Sequence, residues 1–211
     1  MLPDISILLP YTLAVIVIAI TPGPDMTFFV SRTLAQGRLA GFVAALGTTT
    51  GILLHSALVA LGLSALIVAA PKAFLALKII GALYLLWLAF DAIRNGSALS
   101  LPGRAVKHKS MRMTWAQGFL INVLNPKVAL FFMTFLPQFV SPGDPHAPAK
   151  LFTLGLLFIA IFTPIMAGIV LTADKVAETL RAQPFVTRTL DWLFASVFAG
   201  FAAHLLLSRA R

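Results

Sequence analysis

Asp25 and Lys127 are the residues of this 211-residue chain whose types and surroundings can do chemistry. Each stands in a long apolar run directly after a helix-breaking proline: Asp25 in Thr21-Pro22-Gly23-Pro24-Asp25, Lys127 in Asn125-Pro126-Lys127. Proline has no N–H to donate and clashes with the preceding turn, and glycine permits backbone angles that other residues avoid. Pro24 can open a new half-helix with Thr21 or Gly23 near its cap, and Pro126 can open another with Asn125 as the cap. A half-helix start presents unpaired N–H groups and the positive end of the helix dipole, which suits a carboxylate. Two chemistries fit this pattern. Asp25 and Lys127 could be a structural ion pair that locks two halves of the chain together. Alternatively they could hold a zwitterion: Asp25 faces an ammonium or carries a proton, while Lys127 and the helix starts face a carboxylate. In the second reading Asp25 is the proton-coupling group, because burial and a neighbouring cation pull its protonation equilibrium in opposite directions.

The elements that carry these residues must cross a membrane. Of the chain, 59% is hydrophobic and only 11% charged, with a mean hydropathy of +0.95, outside the range of soluble domains. Charges punctuate apolar runs long enough for a bilayer, which takes about 20 helical residues. Six spans are expected, near 5–32, 39–62, 71–94, 114–139, 151–173 and 190–207, with Gly62-Leu63-Ser64 ending the second. The first and fourth are broken at the motifs above. The N-terminal run has no basic leader and is too long for a signal peptide. "PGPDMTFFV" (22–30) recurs weakly as "LNPKVALFF" (124–132), placing Asp25 opposite Lys127. The fold class is therefore an all-α integral membrane protein: one membrane domain, 1–211, made of two inverted three-helix repeats, 1–94 and 113–211, with a basic linker at 95–112. Paired broken helices in inverted halves point to a transporter binding site. Ten Lys and Arg fall in the three loops on the linker's side, among them Arg32, Lys175, Arg181 and Arg188, against four on the other side. The excess of Lys and Arg puts the linker in the cytoplasm and both termini outside it.

Other residues admit plainer readings. Gly47, Gly51 and His55 share one helix face, a small-residue pattern that lets helices approach closely. His55 could be a proton relay or a packed histidine bonded to a backbone carbonyl. His108, His146 and His204 are scattered, so no metal site is expected, and the absence of cysteine excludes disulfides and thiolate ligands. The "GRAVKHKSMR" stretch reads as a solvated linker rather than a nucleic-acid site. Pro164 should bend the fifth span, as a gate or as an accommodation of neighbours.

"TPGPD", "VSRTLAQGRLAGFVAALGTTTG" (30–51), "KIIGALYLLWLAFDAIR" (78–94) and "GFLINVLNPKVALFFMTFLPQFV" (118–140) resemble, in order and spacing, the LysE/RhtB family of amino-acid exporters. Asp25 after Pro24 is most similar to the threonine and homoserine branch. The resemblance implies a multi-pass protein of the bacterial inner membrane that exports neutral or hydroxylated amino acids by proton antiport. Its partners would be the amino-acid substrate, protons and the lipid bilayer, with a homodimer as one assembly and no cofactor or nucleic acid. An enzyme would need a nucleophile–base or metal set at one depth, and none is present. The remaining alternatives are an exporter of another small solute or ion on the same fold, and a non-transporting membrane scaffold.

Overall fold

The apolar run that begins at residue 5 stays helical only as far as the first break. In the computed structural model, which describes residues 5–21, 23–63, 71–95, 108–140 and 144–207, α1 (Ile5–Ile20) stops short of Gly23, and α2 (Pro24–Gln36) starts on Pro24. The two are bent by 50°. Pro22, the termini and most of the expected linker lie outside the described residues. Gly37 then turns the chain between α2 and α3 (Arg38–Leu58). It is the one described residue at positive φ, 85°, and its N–H caps the Thr33 carbonyl at 2.8 Å, a conformation that costs glycine little. The last turn of this span is a π-helix, Val59–Leu63; Ser64, the expected end, lies outside the described residues.

α4 (Pro71–Asn95) is followed, past the linker, by α5 (Met111–Val123), whose first turn is capped by Ser110 accepting the Met113 N–H at 3.3 Å. The second break comes where it is expected. Leu124 and Asn125 leave the helix, and α6 (Pro126–Leu130) runs on through a π-turn (Phe131–Phe135) and a 3₁₀ turn (Leu136–Phe139). This pair too is bent by 50°. α7 (Ala147–Leu171) contains Pro164, and α8 (Ala173–Ala182) and α9 (Pro184–Leu207) complete the chain. Every regular element among the described residues is a helix.

Two of these helices are long and apolar enough by themselves to cross a bilayer, and four spans result if each bent pair counts as one. α4 and α9 have spanning lengths of 25 and 24 residues but fall outside that count, and they pack along each other. The stretch expected to be the fifth loop is helix instead. α8 buries Ala173 and Ala177 and exposes Asp174 and Lys175, and α9 begins at Pro184, six residues ahead of the expected 190. Charge marks where a chain leaves lipid, and a polar stretch can remain helical beyond that edge. Arg188 is thus a helical residue, whose Nη1 donates to the Ile93 carbonyl at 2.6 Å, a cation closing the last turn of α4.

α3 and α5 approach each other closely. A Cβ on Gly47 would come within 2.1 Å of the Trp115 carbonyl oxygen, and one on Gly118 within 2.3 Å of the Ala44 carbonyl oxygen. Backbone lies on backbone at both points, as the small-residue face of α3 leads one to expect. An aromatic layer closes the core beside them. Phe131 packs at a tilt on Phe135 with ring centroids 4.9 Å apart, Phe132 likewise on Phe158 at 5.3 Å, and Tyr11 sits edge-on to Phe139 at 5.3 Å. The Tyr11 hydroxyl donates to the Leu154 carbonyl at 2.6 Å, tying α1 to α7.

Candidate functional site

Asn125 joins the two breaks. Its Oδ1 accepts the Lys127 backbone N–H at 3.0 Å, capping α6 as expected, while its Nδ2 donates to Asp25 Oδ2 at 2.8 Å. Asn122, one turn earlier on α5, donates its own Nδ2 to the same oxygen at 3.2 Å. Asp25 therefore has one oxygen held by two amides, and its other oxygen, Oδ1, is buried with no hydrogen-bond partner. The Lys127 side chain is only 9% exposed, and its Nζ donates to the Thr21 carbonyl at 3.3 Å. A continuous helix would offer that carbonyl to the N–H of residue 25. The cation of the second break thus satisfies a backbone group that the first break released. Lys127 and Asp25 also interact as charges across the junction.

Gly23 serves a different purpose from the one its type suggests. Its φ of −168° and ψ of −177° are extended backbone that any residue adopts. What glycine supplies is room, because a Cβ there would stand 3.1 Å from Lys127 Nζ. The capping of the Lys127 N–H by Asn125 similarly removes one of the donors expected to be open at the second half-helix start.

These groups line part of a small cavity of about 20 Å³. That is room for one water, which needs about 10–15 Å³, whereas sites for small-molecule ligands measure about 300–1,000 Å³. Thr21, Gly23, Asp25, Lys127 and Asn122 form the polar end, and Phe158, Phe162 and Met166 of α7 with Ile52 of α3 form the apolar wall. Of the residues singled out from sequence, Thr21, Gly23, Asp25 and Lys127 meet here. Asn125 stands behind Asp25, and Pro24 and Pro126 are exposed, opening their half-helices without lining the cavity. Pro22 lies outside the described residues.

Asn122 and the α7 wall are what sequence reasoning missed. Asn122 is fully buried and wedged over Gly51, where a Cβ would meet its Oδ1 at 2.5 Å. The signal available was a lone amide in the apolar run "GFLINVL", one turn ahead of the break. His55 lies on the same face of α3. Its Nε2 is 3.4 Å from the Asn122 carbonyl, which can only accept, and its ring stacks on Phe132 at 5.8 Å. That is the geometry of a packed histidine against the back of the site. Arg32, counted from sequence among the loop cations, is instead buried in α2. It donates to Gln36 Oε1 at 2.9 Å and to Gln117 Oε1 at 3.1 Å, which bridges α2 to α5.

Known proteins resemble this sequence over nearly the whole chain. The family model described as LysE type translocator matches residues 16–209. An uncharacterized membrane protein of Vibrio cholerae is 31% identical over 208 residues, covering 98% of this chain and 100% of the relative. A leucine efflux protein of Klebsiella pneumoniae is 29% identical, with 93% of each chain covered. A homoserine/homoserine lactone efflux protein of Salmonella typhimurium is 28% identical, covering 94% of this chain and 95% of the relative. No solved structure matches the chain.

Proposed function

We propose a function from the premise that this chain belongs to the LysE type translocator family: it exports neutral amino acids, the hydroxylated ones included, from the cytoplasm by exchange for protons. It is a transporter and makes no bond. The efflux relatives, named for leucine and for homoserine, support the substrate class. The observation that carries the reading is Asp25 Oδ1, a buried acceptor without a partner at a junction that also holds the Lys127 ammonium.

The mechanism follows from those groups. Asn122 and Asn125 fix the carboxylate through Oδ2, so that Oδ1 is the oxygen left for a substrate ammonium or a proton. Only one of the two can occupy it at a time, and that exclusivity is what couples two solutes moving in opposite directions. Lys127, with the start of α2, lies where a substrate carboxylate would complete the zwitterion. A cavity of about 20 Å³ holds no amino acid, so binding requires the surrounding helices to part, first towards one side of the membrane and then towards the other.

The architecture proposed with this function is two inverted three-helix halves, 1–94 and 113–211, in the bacterial inner membrane, with 95–112 cytoplasmic and both termini periplasmic. The equal 50° bends of the α1–α2 and α5–α6 pairs support the internal repeat. Proteoliposomes loaded with labelled amino acid under an imposed pH difference test the coupling. Asp25→Asn keeps the shape and the acceptor for both amides but cannot titrate. It should lose accumulation against a gradient while retaining downhill exchange. Full proton-driven accumulation by Asp25→Asn would remove Asp25 as the coupling group.

A further inference from the structure

The cavity has its polar atoms at one end only. Asp25, Asn122, Lys127 and the backbone at Thr21 and Gly23 all lie at the helix breaks, and the Thr21 hydroxyl is already spent on the Val17 carbonyl at 2.5 Å. The rest of the lining is apolar, and within it Phe158, Phe162 and Met166 stand at four-residue intervals on one face of α7 and are at most 6% exposed. Ile18 of α1 and Ile52 of α3 extend the same wall. No side chain of this wall can donate or accept a conventional hydrogen bond. α7 offers no backbone acceptor there either. The carbonyl that Pro164 leaves without its i+4 donor belongs to Ala160, which is exposed and lies on the other side of the helix from the wall.

We infer that this α7 wall is the side-chain subsite of the transporter and that it selects aliphatic neutral amino acids, of the leucine, isoleucine and methionine kind, over hydroxylated ones. The inference rests on the amino-acid export reading and narrows it. Once the ammonium and carboxylate are held at the polar end, the side chain has only the apolar wall to face. An aliphatic side chain loses nothing there. A hydroxyl is stripped of water without a partner, which costs free energy that the aliphatic side chain keeps. The wall is also the part of the cavity built to yield. Pro164 removes a hydrogen bond from the middle of α7, between Phe162 and Met166, and Met166 is the unbranched, adaptable side chain of the group. Enlargement of a cavity of about 20 Å³ on this side makes room without disturbing the amides that orient Asp25.

An apolar pocket discriminates against one added hydroxyl by at most about 10²-fold, so a preference of about tenfold or more for leucine over threonine and homoserine is the expected reading. The experiment uses the full chain in proteoliposomes, with efflux of labelled leucine competed by unlabelled leucine, isoleucine, methionine, threonine and homoserine at matched concentrations. Threonine or homoserine competing as well as leucine overturns the inference and leaves amino-acid export standing. Failure to move any amino acid overturns both. Met166→Thr, which puts a hydroxyl on the wall, supplies the second arm and should narrow the leucine-to-threonine ratio several-fold. An unchanged ratio in a variant inserted at normal levels would show that α7 does not face the substrate side chain.

Discussion

Asp25 and Lys127 were legible because an ionisable group in an apolar run is rare and has few reasons to be there. Their partners were not. Asn122 and Asn125 reach Asp25 across separations of 97 and 100 residues, and nothing in a single sequence states which turn of one helix faces which turn of another. The geometry sharpens what each residue does. Lys127 is an architectural cation as well as a candidate ligand, since its ammonium holds the Thr21 carbonyl and stands where Gly23 leaves space. Lys127→Ala should therefore damage the fold more than Asp25→Asn does. Leaving a buried charge without its counter-charge costs about 3–5 kcal/mol, enough to lower yield and detergent-solubilised melting temperature. Joint replacement, Asp25→Asn with Lys127→Ala, should recover much of the yield and none of the uphill transport. A double variant as unstable as Lys127→Ala alone would mean that the lost hydrogen bond, and not the stranded carboxylate, is what matters.

At the scale of elements, the breaks were readable to within a residue or two because proline acts locally. The start of α9 and the whole of α8 were not, because charge marks the end of contact with lipid and not the end of a helix. The glycine face of α3 was readable, but its depth needed coordinates. At Gly118 the neighbour is the Ala44 carbonyl of α3, which belongs to a helix backbone and cannot rotate aside. Gly118→Ala should force α3 and α5 apart at a cost of about 1–3 kcal/mol. Gly168, in α7, has nothing within 4 Å of an added Cβ. Gly168→Ala should stabilise its helix by up to about 1 kcal/mol. Thermal unfolding of the two variants in the same detergent checks the pair. Equal shifts would show that the α3–α5 approach is not tight in the protein.

For the molecule as a whole, the sequence carried the class and the family, and the proposed orientation makes a direct prediction. The chain has no cysteine, so single cysteines can be placed in the otherwise native protein without a background. Cysteines in the 95–112 linker should be protected from a membrane-impermeant maleimide in intact cells, and one next to Arg211 should be labelled. Labelling of the linker from outside would invert the proposed topology.

The cavity of about 20 Å³ has one further consequence, for the cell and not for the substrate. Room for about one water is far too little for an amino acid, so a translocator at rest in this shape should hold back solutes of that size, and idle copies should not drain the pools they serve.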